Sequence, residues 1–217
     1  MSDEYGGEPI RGLPAELPAG ESILWQGSPI FRKLAQRALH VRQVAWYFGL
    51  LAVWGIFTRV SSGASFASVT VAMAEFAGLA VVAVALLVLF AWLVAGSTVY
   101  TITNRRVVIR FGIAVQITLQ IPFREITRAG VCRFSDGAGD ISLALQSQPR
   151  IGYLILWPHT RPWRFYPVQP ALRAIPEAEA VASLLARALA ASAEQSAQPL
   201  ALIQKETKND GRLPAAA

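Results

Sequence analysis

Apolar and polar positions fall into three regimes along this chain. From Val44 to Val60 the sequence VAWYFGLLAVWGIFTRV is almost continuously apolar, bracketed by Arg42 and Arg59. A second run, Phe76 to Ala95, carries twenty residues without a charge. At ~1.5 Å rise per residue it makes about 30 Å of helix, the thickness of a bilayer's hydrocarbon core. Core helices of soluble domains rarely stay apolar on every face for so long. The first run is shorter: the 18 residues from Arg42 to Arg59 make roughly 27 Å, so both guanidinium groups must snorkel outward. Trp46, Tyr47 and Trp54 suit interfacial anchoring. Ser61-Ser62-Gly63-Ala64-Ser65 between the runs is a turn signal, followed by Phe66 to Ala74 as a helical or interfacial extension and by Glu75 at the far interface. The pattern predicts a two-helix transmembrane hairpin over residues 41–96, with spans at about 42–60 and 76–95.

From Ser97 the period changes to two. Val115, Ile117, Leu119 and Ile121 alternate with Gln116, Thr118 and Gln120, and Ile141, Leu143 and Leu145 alternate with Ser142, Ala144 and Gln146, as half-buried strands do. Asn104-Arg105 divides the run Thr98 to Ile109, Gly112 precedes the next strand, Pro122 ends it, and Ser135 to Gly139 forms a loop. Ile151 to Trp157 reads as a further strand, and Cys132 as a small core residue in a strand. Short, closely spaced strands predict an antiparallel meander closed into a small sandwich or barrel. Behind it Pro176, Glu177 and Glu179 open a helix whose Val181, Leu184, Leu185, Ala188 and Leu189 form one apolar stripe. The expected fold class is an α+β membrane protein: the hairpin, then a cytoplasmic pleckstrin-homology-like (PH-like) antiparallel β-barrel over residues 97–192, capped by that amphipathic helix. Residues 1–40 read as a cytoplasmic N-terminal arm, acidic and rich in Gly and Pro up to Glu21, without the basic start and early apolar run of a secretory signal. Residues 193–217 read as a disordered tail.

Composition agrees with the pattern. Of 217 residues 53% are hydrophobic and only 16% charged, and the mean hydropathy is +0.40, too apolar for an ordinary soluble domain. The net charge is +6. Arg32, Lys33, Arg37 and Arg42 precede the first span, Arg105, Arg106 and Arg110 follow the second, and Arg59 alone lies between, so the positive-inside rule places both ends in the cytoplasm. From Ser97 to Ile175 there are ten arginines and three acids, a balance suited to an anionic lipid surface. Nucleic acid is excluded as a partner by context, the basic residues being spread over strands of a membrane-tethered domain without a recognition motif. Small residues four apart, Ala45 and Gly49 in one helix, Ala74 and Gly78 in the other, suit close helix packing, within the hairpin or in a homodimer.

Candidate chemistry is sparse. One cysteine, Cys132, excludes an intramolecular disulfide and a zinc site built from several thiolates, and the two histidines are far apart in sequence. Glu125, Asp136 and Asp140 are the only acids from Ser97 to Ile175, and the latter two read as stabilisers of a glycine-rich turn. No P-loop or GxGxxG occurs. The chain is therefore expected not to be an enzyme, and no cofactor is predicted. His40 reads as an interfacial polar residue. His159 reads as a surface contact or a turn hydrogen-bonder. The stretch Trp157 to Phe165 combines Trp157, Trp163 and Phe165 with His159, Arg161 and Arg164. It reads either as a partner-binding hot spot, aromatics and arginine being enriched there, or as barrel wall.

Several stretches carry a resemblance to known families. Leu24-Trp25-Gln26-Gly27-Ser28-Pro29, Tyr100-Thr101-Ile102-Thr103-Asn104-Arg105-Arg106-Val107-Val108-Ile109-Arg110 and Ile121-Pro122-Phe123-Arg124-Glu125-Ile126 resemble the bacterial PH-like membrane family. Leu156-Trp157-Pro158-His159-Thr160-Arg161-Pro162-Trp163-Arg164-Phe165 and Leu172-Arg173-Ala174-Ile175-Pro176-Glu177-Ala178 are similar to the photosynthetic complex assembly proteins of purple phototrophic bacteria. The narrower resemblance implies a non-enzymatic factor of the bacterial inner (intracytoplasmic) membrane, whose partners are components of the photosynthetic reaction centre and its light-harvesting ring. It also gives His40 an alternative reading, as a ligand through its neutral imidazole to the magnesium of a bacteriochlorophyll. The broader one implies a general envelope protein whose PH-like domain organises lipid or protein.

Overall fold

The computed structural model describes residues 12–13, 15–147 and 152–209, with side chains through Gln195. Strand β1 (Ile23–Gly27) and a short helix α1 (Phe31–Arg37) precede two long helices, α2 (Val41–Ser61) and α3 (Phe66–Ser97). Strands β2 (Val99–Thr103), β3 (Arg106–Phe111), β4 (Ile117–Pro122), β5 (Ile126–Arg133) and β6 (Gly139–Leu145) come next. A one-turn helix α4 (Tyr153–Leu156), strand β7 (Ala171–Ile175) and helix α5 (Ala178–Asn209) complete the order.

Helices α2 and α3 are long and apolar enough to cross a membrane. No residue of α2 is buried, and Leu50, for example, is 68% exposed. So much uncovered apolar surface matches hydrocarbon rather than water. The expected extension Phe66 to Ala74 is continuous with α3, whose 32 residues make about 48 Å of helix. The helices approach closely at Gly55, where an added Cβ would stand 2.6 Å from the Phe76 ring. At Gly49 and Gly78 an added Cβ would meet nothing within 4 Å, so these two glycines are not what brings the hairpin together.

The chain on the N-terminal side of the hairpin is built into the domain on its C-terminal side. β1 pairs antiparallel with β2, Trp25 opposite Ile102 and Gly27 opposite Tyr100. Glu21 grips Arg106 with both carboxylate oxygens, each 2.8 Å from a guanidinium nitrogen, a bidentate geometry stronger than a single hydrogen bond. The arm expected over residues 1–40 is therefore corrected from residue 21 onward; residues 1–11 lie outside the described part. Because β1, which precedes the hairpin, pairs with β2, which directly follows it, the two ends of the hairpin are held together by one sheet.

The seven strands form two sheets, ordered β1-β2-β3-β4 and β5-β6-β7, and the expected closed barrel is corrected to this open pair. No ladder joins β4 to β5: Pro122 has no N–H to donate, and a 3-10 turn at Phe123–Glu125 redirects the chain. Helix α5 packs against that turn, β5 and β6, with Ala178, Val181, Leu185 and Ala188 in the core as the apolar stripe predicts. The helix runs on to Asn209, where a loose tail is expected from residue 193.

Two local readings are also corrected. The segment expected as a strand over 151–157 is α4 and a turn, its one-turn helix burying Leu156 while Leu154 is 85% exposed. Ile151 lies outside the described residues. Cys132 is exposed, because β5 is an edge strand with one face open to solvent. Asp136 and Asp140 reach beyond their turn: Asp136 pairs with Lys33 of α1, which holds its carboxyl below the usual range, and Asp140 accepts from the Ala174 N–H at 2.7 Å.

Candidate partner-docking site

Helix α1 wedges between the end of α3 and β7, Leu34 and Ala38 meeting Val94, Ala95 and Ala174. This fixes the chain that leads into α2. His40, the residue before α2, takes a left-handed backbone at φ 55°, a conformation that costs a non-glycine residue free energy. Its ring Nδ1 lies 3.2 Å from the Ala38 carbonyl. Opposite, the segment after α4 folds back along α3, and the Trp157 ring stacks on Phe90 with centroids 6.0 Å apart and planes 13° from parallel. Tyr153 and Phe165 pack at 4.7 Å.

Between these walls lies a cavity of about 460 Å³ lined by Arg37, Leu39, His40 and Leu87 on one side and by Tyr153, Trp157, Trp163 and Phe165 on the other. Its size is that of a ligand or side-chain-docking site. Four of the residues singled out from sequence, His40, Trp157, Trp163 and Phe165, thus converge from both sides of the hairpin. Trp163 also holds a left-handed backbone, φ 59°, and is 81% exposed, so it is no barrel wall. Phe165, Tyr166, Leu154 and Ile155 extend the exposed apolar surface beside it. Large apolar patches of this kind mark interaction or membrane surfaces.

The other candidates separate from this cavity. Arg161 and Arg164 line a recess of about 310 Å³ with Arg128 and Gln169 over β5 and β6, and Arg161 donates to Gln169 Oε1 at 3.2 Å. His159 is 1% exposed, which corrects its reading as a surface contact. Its partners decide its tautomer. The Arg173 backbone N–H donates to Tyr100 Oη at 3.1 Å, leaving the Tyr100 hydroxyl to donate to His159 Nδ1 at 2.8 Å. The Thr98 hydroxyl donates to the Val94 carbonyl at 2.6 Å, so its oxygen accepts from His159 Nε2–H at 3.3 Å. Burial, aided by the charge of Arg173, pushes the His159 pKa down to about 3, and burial raises that of the Tyr100 hydroxyl. The neutral imidazole thereby ties β7, β2 and the last turn of α3 together. Among the described residues no group of three or more His, Cys, Asp or Glu side chains is placed to hold a metal ion.

A family model described as Bacterial PH domain matches residues 57–189. The chain belongs to the bacterial PH domain family. The matched residues begin inside α2, so β1 and α1, which complete the PH-like domain and one wall of the cavity, lie outside the match. The chain is also similar to the "Uncharacterized 23.7 kDa protein in puhA 5'region" of Rhodobacter capsulatus, 39% identical over 190 residues that cover 87% of this chain and 89% of that protein. No solved structure matches. Within this PH-domain chain, sequence reasoning misses Arg37, Leu87 and Tyr153 as cavity residues, because no spacing rule relates three separate elements. It also misses the Tyr100–His159 network, for which the only signal is a histidine between two prolines.

Proposed function

We propose that this PH-domain protein is a non-enzymatic membrane factor, of the PuhB kind, that assists assembly of the photosynthetic reaction centre and its light-harvesting ring. The observation that carries the reading is the likeness, across 87% of the chain, to a protein described by its place beside puhA, a photosynthesis gene. The exposed aromatic segment stacked against α3 supports it, since a surface at the end of an apolar hairpin suits partners that are themselves membrane proteins. In this reading the hairpin crosses the bacterial inner membrane, both ends are cytoplasmic, and the Trp157 to Phe165 segment docks reaction-centre components.

Deleting the gene in a phototrophic host is expected to lower the yield of assembled reaction centre, measured by its absorption in isolated membranes, while bacteriochlorophyll is still made. Trp163→Ala combined with Phe165→Ala is expected to reproduce that loss with the protein at normal abundance. Loss of the pigment itself would point to an enzyme. Normal complex levels in the deletion strain would return the chain to a general envelope role.

Topology is tested separately. Reporters fused before Ile23 and after Ser192 are expected to stay cytoplasmic, and one inserted at Gly63, in the turn between α2 and α3, to be exported. Termini on opposite sides would refute the hairpin.

A further inference from the structure

Spacing along the chain cannot tell dispersed basic residues from a cluster, and at the elbow between α1 and α2 the fold makes a cluster. Here lies a recess of about 530 Å³, lined by Lys33, Gln36, Arg37, Arg42 and Gln43. Trp46, one turn into α2, and Phe134 and Ser135 of the β5–β6 loop close it. Three cations and two side-chain amides face one small space. Asp136 is the acid at hand, and its carboxylate is taken up by Lys33.

The two arginines are free to take an anion. The Arg37 guanidinium lies over the Phe134 ring, 4.8 Å from its centroid, which engages its face and leaves its N–H edge available. The Arg42 side chain forms no hydrogen bond or ion pair with any described residue. Like charges held this close repel unless an anion joins them, and a phosphate accepts from several donors at once.

The neighbouring surface says what carries the phosphate. Trp46, Leu50, Val53 and Phe57 are all exposed on α2, at spacings of four, three and four that put them on one face. An apolar lane therefore leads from the recess along a helix long and apolar enough to cross a membrane.

We propose that this recess binds the headgroup of one anionic phospholipid. Arg37 and Arg42 hold its phosphate, Gln36 and Gln43 donate to its remaining oxygens, and its acyl chains lie along the Trp46–Phe57 face of α2. The site is separate from the aromatic cavity and does not depend on the assembly role. It differs from general attraction to a charged leaflet in being saturable at one lipid per chain.

The test uses the full-length protein in zwitterionic detergent micelles, with bound lipid counted by native mass spectrometry during titration with phosphatidylglycerol or phosphatidylcholine. One phosphatidylglycerol is expected to be retained in preference to phosphatidylcholine. Arg42→Gln should weaken retention about fivefold and Arg37→Gln/Arg42→Gln roughly 25-fold, by the usual worth of one basic charge at a lipid surface. Arg124→Gln/Arg128→Gln, which removes the same charge from the turn before β5 and the start of β5, outside the residues lining the recess, should change it less than twofold. The Arg42 side chain makes no hydrogen bond or ion pair with any described residue, so the Arg42→Gln effect is separable from misfolding. Equal loss in the two double variants, equal retention of phosphatidylcholine, or equally tight binding of glycerol 3-phosphate would each overturn the proposal. The last outcome would mean that the acyl chains contribute nothing.

Discussion

Acidification from pH 7 to pH 4 is expected to lower the stability of the folded protein by roughly 3 kcal/mol through His159 alone. The folded-state pKa is pushed down to about 3 by burial and by Arg173, whereas an unfolded histidine titrates near 6.5. Above pH 6.5 neither state carries the proton, and this stability is fully present. Between 6.5 and 3 the unfolded chain binds a proton that the folded chain refuses, so stability falls by about 1.4 kcal/mol per unit. Asp136, paired with Lys33 and lowered in pKa, also loses stability as pH falls. The comparison with His159→Gln isolates the histidine, because the variant keeps Asp136. Denaturant unfolding of the full-length protein in detergent at several pH values is the measurement. His159→Gln should begin less stable at pH 7 and show a shallower acid limb. An unchanged slope would mean that His159 is not held neutral in the fold.

The second large effect concerns the ion pair beneath the aromatic segment. Arg173 is 5% exposed, its Nε lies 3.0 Å from Asp140 Oδ2, and its Nη1 donates to the Thr160 carbonyl at 2.8 Å. Asp140→Ala leaves that charge buried without a counter-ion and the Ala174 N–H without its acceptor. Removing one member of such a pair costs about 3–5 kcal/mol. Replacing both, as Asp140→Ala/Arg173→Met, is expected to recover much of the loss, since a buried pair contributes little beyond an apolar replacement of similar volume. Thermal unfolding of the two variants and the parent decides this. A single-variant cost below about 1 kcal/mol would show that water reaches the pair. Because Arg173 also anchors Thr160, Asp140→Ala should loosen the Trp157–Phe165 segment as well.

How much of the fold is legible along the chain depends on how local each signal is. Uninterrupted apolar runs mark α2 and α3, since a helix that meets hydrocarbon needs no polar face. Alternation locates β4 and β6, and the stripe from Val181 to Leu189 locates the buried face of α5, because each has one face on a core. Tyr153 to Leu156 misleads, a four-residue apolar run being compatible with a strand or a helical turn. β7 escapes notice because all five of its residues are buried, so it has no alternation to display. β1 escapes because its partner lies beyond the hairpin.

The sequence by itself determined the two apolar helices, the change to a strand-rich domain after Ser97, and the residue types available for binding. These depend on which solvent each segment must satisfy, and that is written in composition and period. Only the tertiary structure decided that Ile23–Gly27 pairs with Val99–Thr103, that His40 meets Trp163 across a cavity, and that Lys33, Arg37 and Arg42 share one recess. It also moved His159 from the expected surface to a neutral, doubly hydrogen-bonded place in the interior. Such contacts join residues as many as about 140 positions apart, and no period along the chain encodes them. They arise from packing the two open sheets and α5 around one core and α1 against the end of α3, where burial and hydrogen-bond satisfaction choose the partners.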